Sequence, residues 1–169
     1  MEQWNPAMKK LAGGSLYGAT CRRLAKNGGK VAGVIWYQGA SDANEDVAPI
    51  YTRAMKKLVS AFRRDCRNKA LPIAVVQISR VVGWPIETAK PWNAVQDQER
   101  LLQGAIKHLA TVPAIDLPLT DCIHIEGVGQ NRLGRRLAQA MCVLRGERKA
   151  GKMPLDLGKI EIEQEARGM

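Results

Sequence analysis

Two short apolar segments predict strands at the centre of a sheet. Residues 31–37 (VAGVIWY) and 72–79 (PIAVVQIS) are almost uninterrupted apolar runs that are rich in β-branched side chains. Runs of this length and composition are typical of strands that are buried on both faces of a parallel sheet. Weaker patterns indicate a third strand around residues 114–117 and a short strand at residues 159–162.

Four longer segments have apolar residues at helical spacing and predict amphipathic helices. They are residues 15–26, a segment that follows the polar loop 38–46 and ends near residue 69, residues 92–111 and residues 130–144. Ser15 is a suitable N-cap for the first helix, and the sequence Asn27-Gly28-Gly29 is typical of its end.

The alternation of these strands and helices predicts the fold class. Parallel strands joined by helices form right-handed crossovers, and the helices then cover both faces of the sheet. We therefore expect an α/β protein, a three-layer α/β/α sandwich with a mainly parallel sheet. In such sheets the loops at the carboxyl ends of the strands carry the functional residues. Two polar loops, residues 38–42 and 121–124, are expected in that position.

The chain is basic, with a formal net charge of +10. Its Lys and Arg residues are concentrated in residues 53–69 and 132–152, and a positive surface attracts polyanions in general. In the first of these regions, however, basic positions alternate with an apolar stripe, which is the pattern of a surface helix. No zinc finger or RNA-recognition signature accompanies it, so the sequence argues against a nucleic acid partner. No apolar run is long enough to span a bilayer, which argues against a membrane partner.

The cysteines and histidines argue against a metal site. The four cysteines are far apart in the sequence and form no C-x-x-C pair: Cys21, Cys66, Cys122 and Cys142. The chain has two histidines, too few to complete a zinc site with such scattered cysteines. We expect the cysteines to be reduced thiols in or near the core.

Asp121 and His124 form the candidate catalytic pair. Their spacing lets a loop turn so that the carboxylate accepts a hydrogen bond from Nδ1 of the imidazole, which leaves Nε2 free to act as a base. A D-x-x-H pattern is weak by itself, and the alternative is a histidine that caps the following helix. The other histidine, His108, lies beside Lys107 in a predicted helix and is expected at the surface.

A series of motifs places this pair in a wider pattern. Its members are Gly33 to Gly39 (GVIWYQG), Tyr51, Leu71-Pro72 through Gln77, Trp92, and Asp121-x-x-His124 ahead of Gly134-Arg135-Arg136-Leu137-Ala138. In this order the motifs resemble the sialate O-acetylesterase and acetylxylan-esterase branch of the SGNH hydrolases. The resemblance extends over roughly residues 4 to 142.

The resemblance implies a serine ester hydrolase that removes acetyl groups from carbohydrates such as sialic acid or xylan, with no metal or organic cofactor. His124 would be the general base and Asp121 the acid that orients it. Gln38, together with Gly39, would lie at the oxyanion hole, where hydrogen-bond donors stabilise charge on the acetyl oxygen. The alternative for Gln38 is a loop amide that satisfies backbone groups.

The chain departs from the family pattern at the nucleophile. The family's serine lies in a Gly-x-Ser block upstream of the tryptophan that matches Trp4, so we expect residues 1–144 to be an N-terminally truncated, partial esterase domain, followed by a charged extension at 145–169. Within the chain, Ser41 is the best substitute for this serine. The Glu of the family's Q-G-E motif is Ala40 here, a loss that Asp121 could offset.

Three hypotheses follow from these departures. The chain is part of a longer esterase and is inactive alone, or it is a homologue that binds a glycan or polyanion without hydrolysing it, or it is active through Ser41 or through a serine of a second chain. A sheet without its first strand exposes strand edges and an apolar face. We therefore expect the chain to form a homodimer through these edges or to rearrange its strands. Localisation is not decided by the sequence, although a longer parent protein could be exported.

Overall fold

Three apolar segments form a parallel sheet with the strand order β1-β2-β3. The strands are β1 (Val34–Trp36), β2 (Ile73–Gln77) and β3 (Leu109–Pro113). The computed structural model describes residues 2–147 and residue 152. The central strand β2 is paired along both edges, and all five of its residues are buried.

Within the described residues, four α-helices connect and cover the strands. They are α1 (Leu16–Lys26), α2 (Tyr51–Asp65), α3 (Ile86–Ala105) and α4 (Gly127–Leu144). Short 3₁₀ helices occur at Glu2–Trp4, Pro6–Gly14, Ala40–Asp42 and Ala48–Ile50. The helices α2 and α3 therefore separate successive parallel strands, as crossover connections require.

The side chains of β2 alternate between two cores. Ile73 and Val75 pack into a cluster with residues of α2 and α3, whereas Ala74 and Val76 pack into a second cluster with residues of α4. Successive side chains of a strand point to opposite faces of the sheet, so the helices lie on both faces. The prediction of an α/β/α sandwich with a parallel sheet is confirmed.

The predicted limits of the first helix are confirmed. Ser15 precedes α1, and its hydroxyl accepts a hydrogen bond from the backbone N–H of Gly18 at 3.0 Å. The chain leaves the helix through Gly28 and Gly29, which have φ values of 83° and 72°. Glycine adopts this left-handed conformation without the steric cost that a β-carbon imposes.

The prediction that residues 31–37 are buried on both faces is wrong. Only Val34–Trp36 form a strand, and Ile35 at its centre is 57% exposed. The reason is the position of β1 at the edge of the sheet, where it pairs only with β2 among the described residues. An apolar run therefore identified the strand but not its place in the sheet.

The predicted limits of the third helix and third strand are also wrong. α3 begins at Ile86, runs through Pro91 and ends at Ala105, and the chain then forms β3 at Leu109–Pro113 rather than at residues 114–117. His108 is exposed as expected, but it lies between helix and strand with a left-handed φ of 54°. Leu109 fits the apolar face of a continued helix as well as the start of a strand, so periodicity alone could not place the boundary.

The end of the chain is described only in part. α4 ends at Leu144, where the sequence places the end of the esterase domain. The predicted strand at residues 159–162 and most of the predicted extension at 145–169 lie outside the described residues. Within the part that is described, no helix is both long and apolar enough to cross a bilayer.

The outer edge of β1 is bordered by an apolar groove of about 420 Å³, lined by residues that include Val31, Val34, Ile35 and Phe62. A free strand edge beside apolar surface favours pairing with another strand. Two copies of β1 related by a two-fold axis would satisfy both edges at once, because such an interface is self-complementary. Dimerisation through this edge stays a prediction.

We expect the substitution Ile35→Lys to shift the chain from dimer to monomer, because a lysine on an edge strand opposes strand-to-strand pairing. Light scattering coupled to size-exclusion chromatography over a range of concentrations measures the shift. Ile86→Lys is the matched control, since Ile86 is 79% exposed and lies on α3. A wild-type chain that stays monomeric at every concentration would contradict the prediction.

Candidate active site

The loops that follow the three strands meet at one edge of the sheet, because the carboxyl ends of parallel strands lie together. They border a pocket of about 270 Å³. Residues from all three loops and from the start of α3 line it, including Gln38, Gly39, Ser41, Ser79, Trp92 and His124. The structure therefore brings together the two loops that the sequence singles out.

Asp121 and His124 are in contact. Nδ1 of His124 lies 2.7 Å from Oδ2 of Asp121. The other oxygen, Oδ1, accepts hydrogen bonds from the backbone N–H groups of Ile123 at 2.8 Å and of His124 at 2.7 Å. These backbone bonds, together with the bond from the imidazole, lower the pKa of Asp121 to about 2. The carboxylate is therefore ionised at neutral pH and can only accept hydrogen bonds.

The pair lies at the protein surface. The side chain of His124 is 72% exposed and that of Asp121 is 53% exposed. Because Asp121 occupies Nδ1, the ring nitrogen left for other partners is Nε2. The ring does not cap the next helix, since the N-cap residue of α4 is Glu126 and no side chain caps it. The geometry is that of a base with an orienting acid, and the catalytic role of the pair stays a prediction.

Backbone hydrogen bonds fix the loop that carries the pair. Thr120 N–H donates to the carbonyl of His124 at 2.8 Å, and Glu126 N–H donates to the carbonyl of Pro118 at 3.0 Å. An isolated antiparallel bridge joins Leu119 to Ile125 between these two bonds. The segment is thus a closed turn rather than an open loop.

The loop after β2 holds the same turn from the other side. The hydroxyl of Ser79 donates to the carbonyl of Ile123, and Val82 N–H donates to the carbonyl of Cys122 at 3.0 Å. The indole N–H of Trp92 in turn donates to the carbonyl of Ser79 at 2.7 Å. Through Ser79, the first part of α3 is therefore coupled to the position of the imidazole.

Gln38 lines the pocket, and one contact orients its side-chain amide. Its Nε2 donates to Oδ2 of Asp42 at 2.9 Å, and Asp42 is buried, with 3% of its surface exposed. A carboxylate cannot donate, so this contact fixes which end of the amide carries the nitrogen. Oε1 of Gln38 is buried and has no hydrogen-bond partner among the described residues. The hydrogen-bond partner of the Gln38 amide is thus the side chain of Asp42, whereas the alternative interpretation expects backbone groups.

The serines of the chain have distinct environments. Ser41 is exposed and lines the pocket, but no hydrogen bond joins it to His124 in the described structure. Ser79 is buried and its hydroxyl is engaged with the loop of His124. Ser15 caps α1, and Ser60 lies on α2, away from the pocket lining. Ser41 thus remains the internal candidate for a nucleophile, as the sequence predicts.

Sequence reasoning missed Glu99, which is fully buried beneath the Gln38–Gly39 segment. Its Oε2 accepts a hydrogen bond from Ile78 N–H at 2.8 Å, and its Oε1 lies 2.9 Å from the hydroxyl of Tyr51. Burial raises the pKa of Glu99 to about 8, although these hydrogen bonds oppose the rise. The available signal was a carboxylate on the apolar face of a helix, in line with Val95 and Leu102.

The cysteines do not form disulfides. Cys21, Cys66, Cys122 and Cys142 are all free thiols. Burial raises the pKa of Cys21 and of Cys66, which keeps both protonated at neutral pH. Cys21, Cys66 and Cys142 are partly buried, near the core as expected, whereas Cys122 is exposed. The redox state of the thiols stays a prediction.

We expect Asp121→Ala to mix the tautomers of the neutral His124 ring, because the carboxylate that accepts from Nδ1–H is removed. Imidazole ¹⁵N chemical shifts measure the tautomer directly. His108, the other histidine, is the internal control, and its signals are expected to stay unchanged. Equal populations of the two His124 tautomers in the wild type would contradict the prediction.

Comparisons with known proteins agree with this architecture. The family described as "Carbohydrate esterase, sialic acid-specific acetylesterase" matches residues 1–143. A probable carbohydrate esterase of Arabidopsis thaliana is 32% identical over 140 residues, which cover 79% of this chain and 50% of that protein. The chain thus spans about half the length of this curated relative.

Two solved structures are also similar. The X-ray structure of an Arabidopsis thaliana protein is 30% identical with a TM-score of 0.65, covering 76% of this chain and 52% of that one. A carbohydrate acetylesterase from Xanthomonas citri is 28% identical with a TM-score of 0.59, covering 69% of this chain and 27% of that one. With the match over residues 1–143, these similarities show that the chain belongs to the carbohydrate esterase family of sialic acid-specific acetylesterases.

Proposed function

We propose that this chain supplies the general base, its orienting acid and part of the oxyanion site of a carbohydrate O-acetylesterase. The observation that carries the proposal is the 2.7 Å contact between Asp121 and Nδ1 of His124, with Nε2 left for a nucleophile. Family membership supports an ester as the substrate, and the shared pocket supports a joint role for His124 and Gln38.

The proposed reaction has two stages. A serine hydroxyl attacks the acetyl carbonyl carbon while His124 Nε2 takes the hydroxyl proton, and the sugar hydroxyl leaves with that proton as the acyl-enzyme forms. Water then attacks the acyl-enzyme, again losing its proton to His124, and acetate leaves as serine is restored. Asp121 stays ionised throughout and stabilises the imidazolium, as its low pKa permits.

The negative charge that develops on the acetyl oxygen needs hydrogen-bond donors. Gln38 Nε2 carries two N–H bonds, of which one is directed to Asp42, and the Gly39 segment lies beside it in the pocket. We assign these groups to the oxyanion site. Loss of one such donor costs about 10²–10³ in rate in well-studied hydrolases.

The source of the serine distinguishes two forms of the proposal. In the first, the nucleophile belongs to the part of the relatives that this chain does not share, and the chain alone is inactive. In the second, Ser41 is the nucleophile, because it is exposed and lines the same pocket as His124. The substrate class is an O-acetylated sugar, and an O-acetyl sialic acid is the specific substrate that the family description favours.

In a chain extended at its N terminus by a Gly-x-Ser block, we expect His124→Ala to lower kcat for p-nitrophenyl acetate by about 10³-fold or more. His108→Ala is the matched control and is expected to keep full activity, because His108 lies outside the pocket lining. In the unextended chain, p-nitrophenyl acetate turnover that is lost in Ser41→Ala would favour the second form of the proposal, in which Ser41 is the nucleophile. Unchanged turnover in His124→Ala would remove His124 from the mechanism.

A second candidate function is binding of a glycan or polyanion without hydrolysis. The observation that favours it is the basic face of α2, where Arg53, Lys56, Lys57 and Arg64 are exposed. Affinity for heparin that falls steeply with salt, together with no esterase activity in the extended chain, would favour this function over the first.

A further inference from the structure

A buried chain of three oxygen atoms lies beneath the pocket. The hydroxyl oxygen of Tyr51 is 2.9 Å from Oε1 of Glu99 and 2.9 Å from the carbonyl oxygen of Gln38. Tyr51 and Glu99 are both 0% exposed, so no solvent-accessible surface remains on either residue. These contacts link the buried Glu99 of α3 to the backbone of Gln38 at the pocket.

The number of available protons decides which of the contacts between these three oxygen atoms can be hydrogen bonds. The Tyr51 hydroxyl has one proton, and the Gln38 carbonyl has none. If Glu99 were ionised, that single proton would go to one of the two oxygens or be shared between them, so at least one contact would lack a full hydrogen bond. If Oε1 of Glu99 carries a proton, both contacts are hydrogen bonds.

We propose that Glu99 is a neutral carboxylic acid in the folded protein, and that its O–H donates to Tyr51 while Tyr51 donates to the carbonyl of Gln38. Glu99 is then a positioning residue for the Gln38–Gly39 segment of the pocket. The part of this inference that concerns catalysis rests on the proposed function. The position of the proton does not, because it is argued from the two contacts of the Tyr51 hydroxyl.

The surroundings of Glu99 favour the neutral form. Burial raises its pKa to about 8, and the negative charge of the nearby Asp42 acts in the same direction. Tyr37 and Tyr51 are the other titratable groups that interact with it, and both have raised pKa values, so they stay neutral where Glu99 titrates. Within the described residues, no cation pairs with the Glu99 carboxyl.

Gly39 lies directly against the same carboxyl. A β-carbon at position 39 would come within 2.5 Å of Oε1 of Glu99 and within 2.9 Å of the side chain of Ile78. The φ of Gly39 is −179°, an extended conformation open to any residue, so the requirement for glycine is the close approach. The backbone of Gly39 therefore packs directly against the Glu99 carboxyl, with no side chain between them.

The sign of the pH dependence follows from the raised pKa. Between the ordinary value of 4.5 and about 8, the folded state holds a proton that the unfolded state has lost. The free energy of unfolding therefore falls as the pH rises through this interval. Above about 8 the acid ionises in the folded state, and the bond from Glu99 to Tyr51 is lost.

The position of the proton is measured on the wild-type chain by ¹³C NMR of the Glu99 side-chain carboxyl. We expect a protonated carboxyl at neutral pH that titrates with a midpoint near 8. The backbone carbonyl carbon of Gln38 is expected to titrate with the same midpoint. A Glu99 carboxyl that is already ionised at neutral pH would overturn the proposal without any substitution.

Three variants test the connection. Glu99→Gln keeps a donor for Tyr51 and an acceptor for Ile78 N–H at every pH, so the Gln38 titration is expected to disappear while the fold is retained. Tyr51→Phe removes the middle oxygen, so Glu99 still titrates but Gln38 no longer follows it. Glu87→Gln, an exposed substitution of the same type on α3, is the matched control and leaves both titrations unchanged. Persistence of the Gln38 titration in Glu99→Gln would overturn the proposal.

Activity tests the positioning role separately. In the extended, active chain, we expect kcat to fall as the pH rises past 8 in the wild type and to stay level in Glu99→Gln. Glu99→Ala removes the donor to Tyr51, and we expect it to lower kcat at every pH. Glutamine at the same position is expected to restore kcat, because its amide N–H is a donor. A fall in kcat shared equally by wild type and Glu99→Gln would overturn the positioning role. If the extended chain has no esterase activity, the proposed function fails, whereas the NMR titrations still decide where the proton lies.

Discussion

The parallel pairing of β2 with both of its neighbours is the interaction on which the site depends. It places the carboxyl ends of the three strands, and so the starts of the loops that follow them, at one edge of the sheet. The alternating side chains of β2 bind the two helical layers to the same strand. The pocket therefore forms where the two crossover connections and the loop to α4 begin, and its residues come from segments that are far apart in the sequence.

Two different means hold the two halves of the pocket. The half that carries His124 is an exposed turn, and it is fixed by the carboxylate of Asp121 and by hydrogen bonds from the β2–α3 loop. The half that carries Gln38 is supported from below by Tyr51 and Glu99, which have no exposed surface. An ionised carboxylate at the surface and an uncharged carboxyl in the core are each in the environment that suits their charge, because desolvation penalises the ionised form.

The sequence predicted the residues whose chemistry is local and failed where tertiary context decides. The contact of Asp121 with His124 follows from a spacing of three residues, and the capping of α1 by Ser15 follows from the residue itself. The predicted boundary between α3 and β3 was wrong because Leu109 fits both periodicities. The predicted burial of β1 was wrong because the residues of a strand do not determine whether it lies at the centre or the edge of the sheet. Glu99 was missed for a similar reason, since its partners come from α2 and from the end of β2.

The contact between Gly39 and Glu99 also limits how this protein can change in evolution. A β-carbon at position 39 would come too close to the carboxyl of Glu99 and to the side chain of Ile78, so both would have to shift. A variant with alanine or serine at 39 would displace the Glu99 carboxyl from Tyr51 unless residue 99 were shorter, and Ile78 would have to move in either case. Positions 39 and 99 are therefore expected to covary among homologues, with glycine at the first accompanying a long hydrogen-bonding side chain at the second.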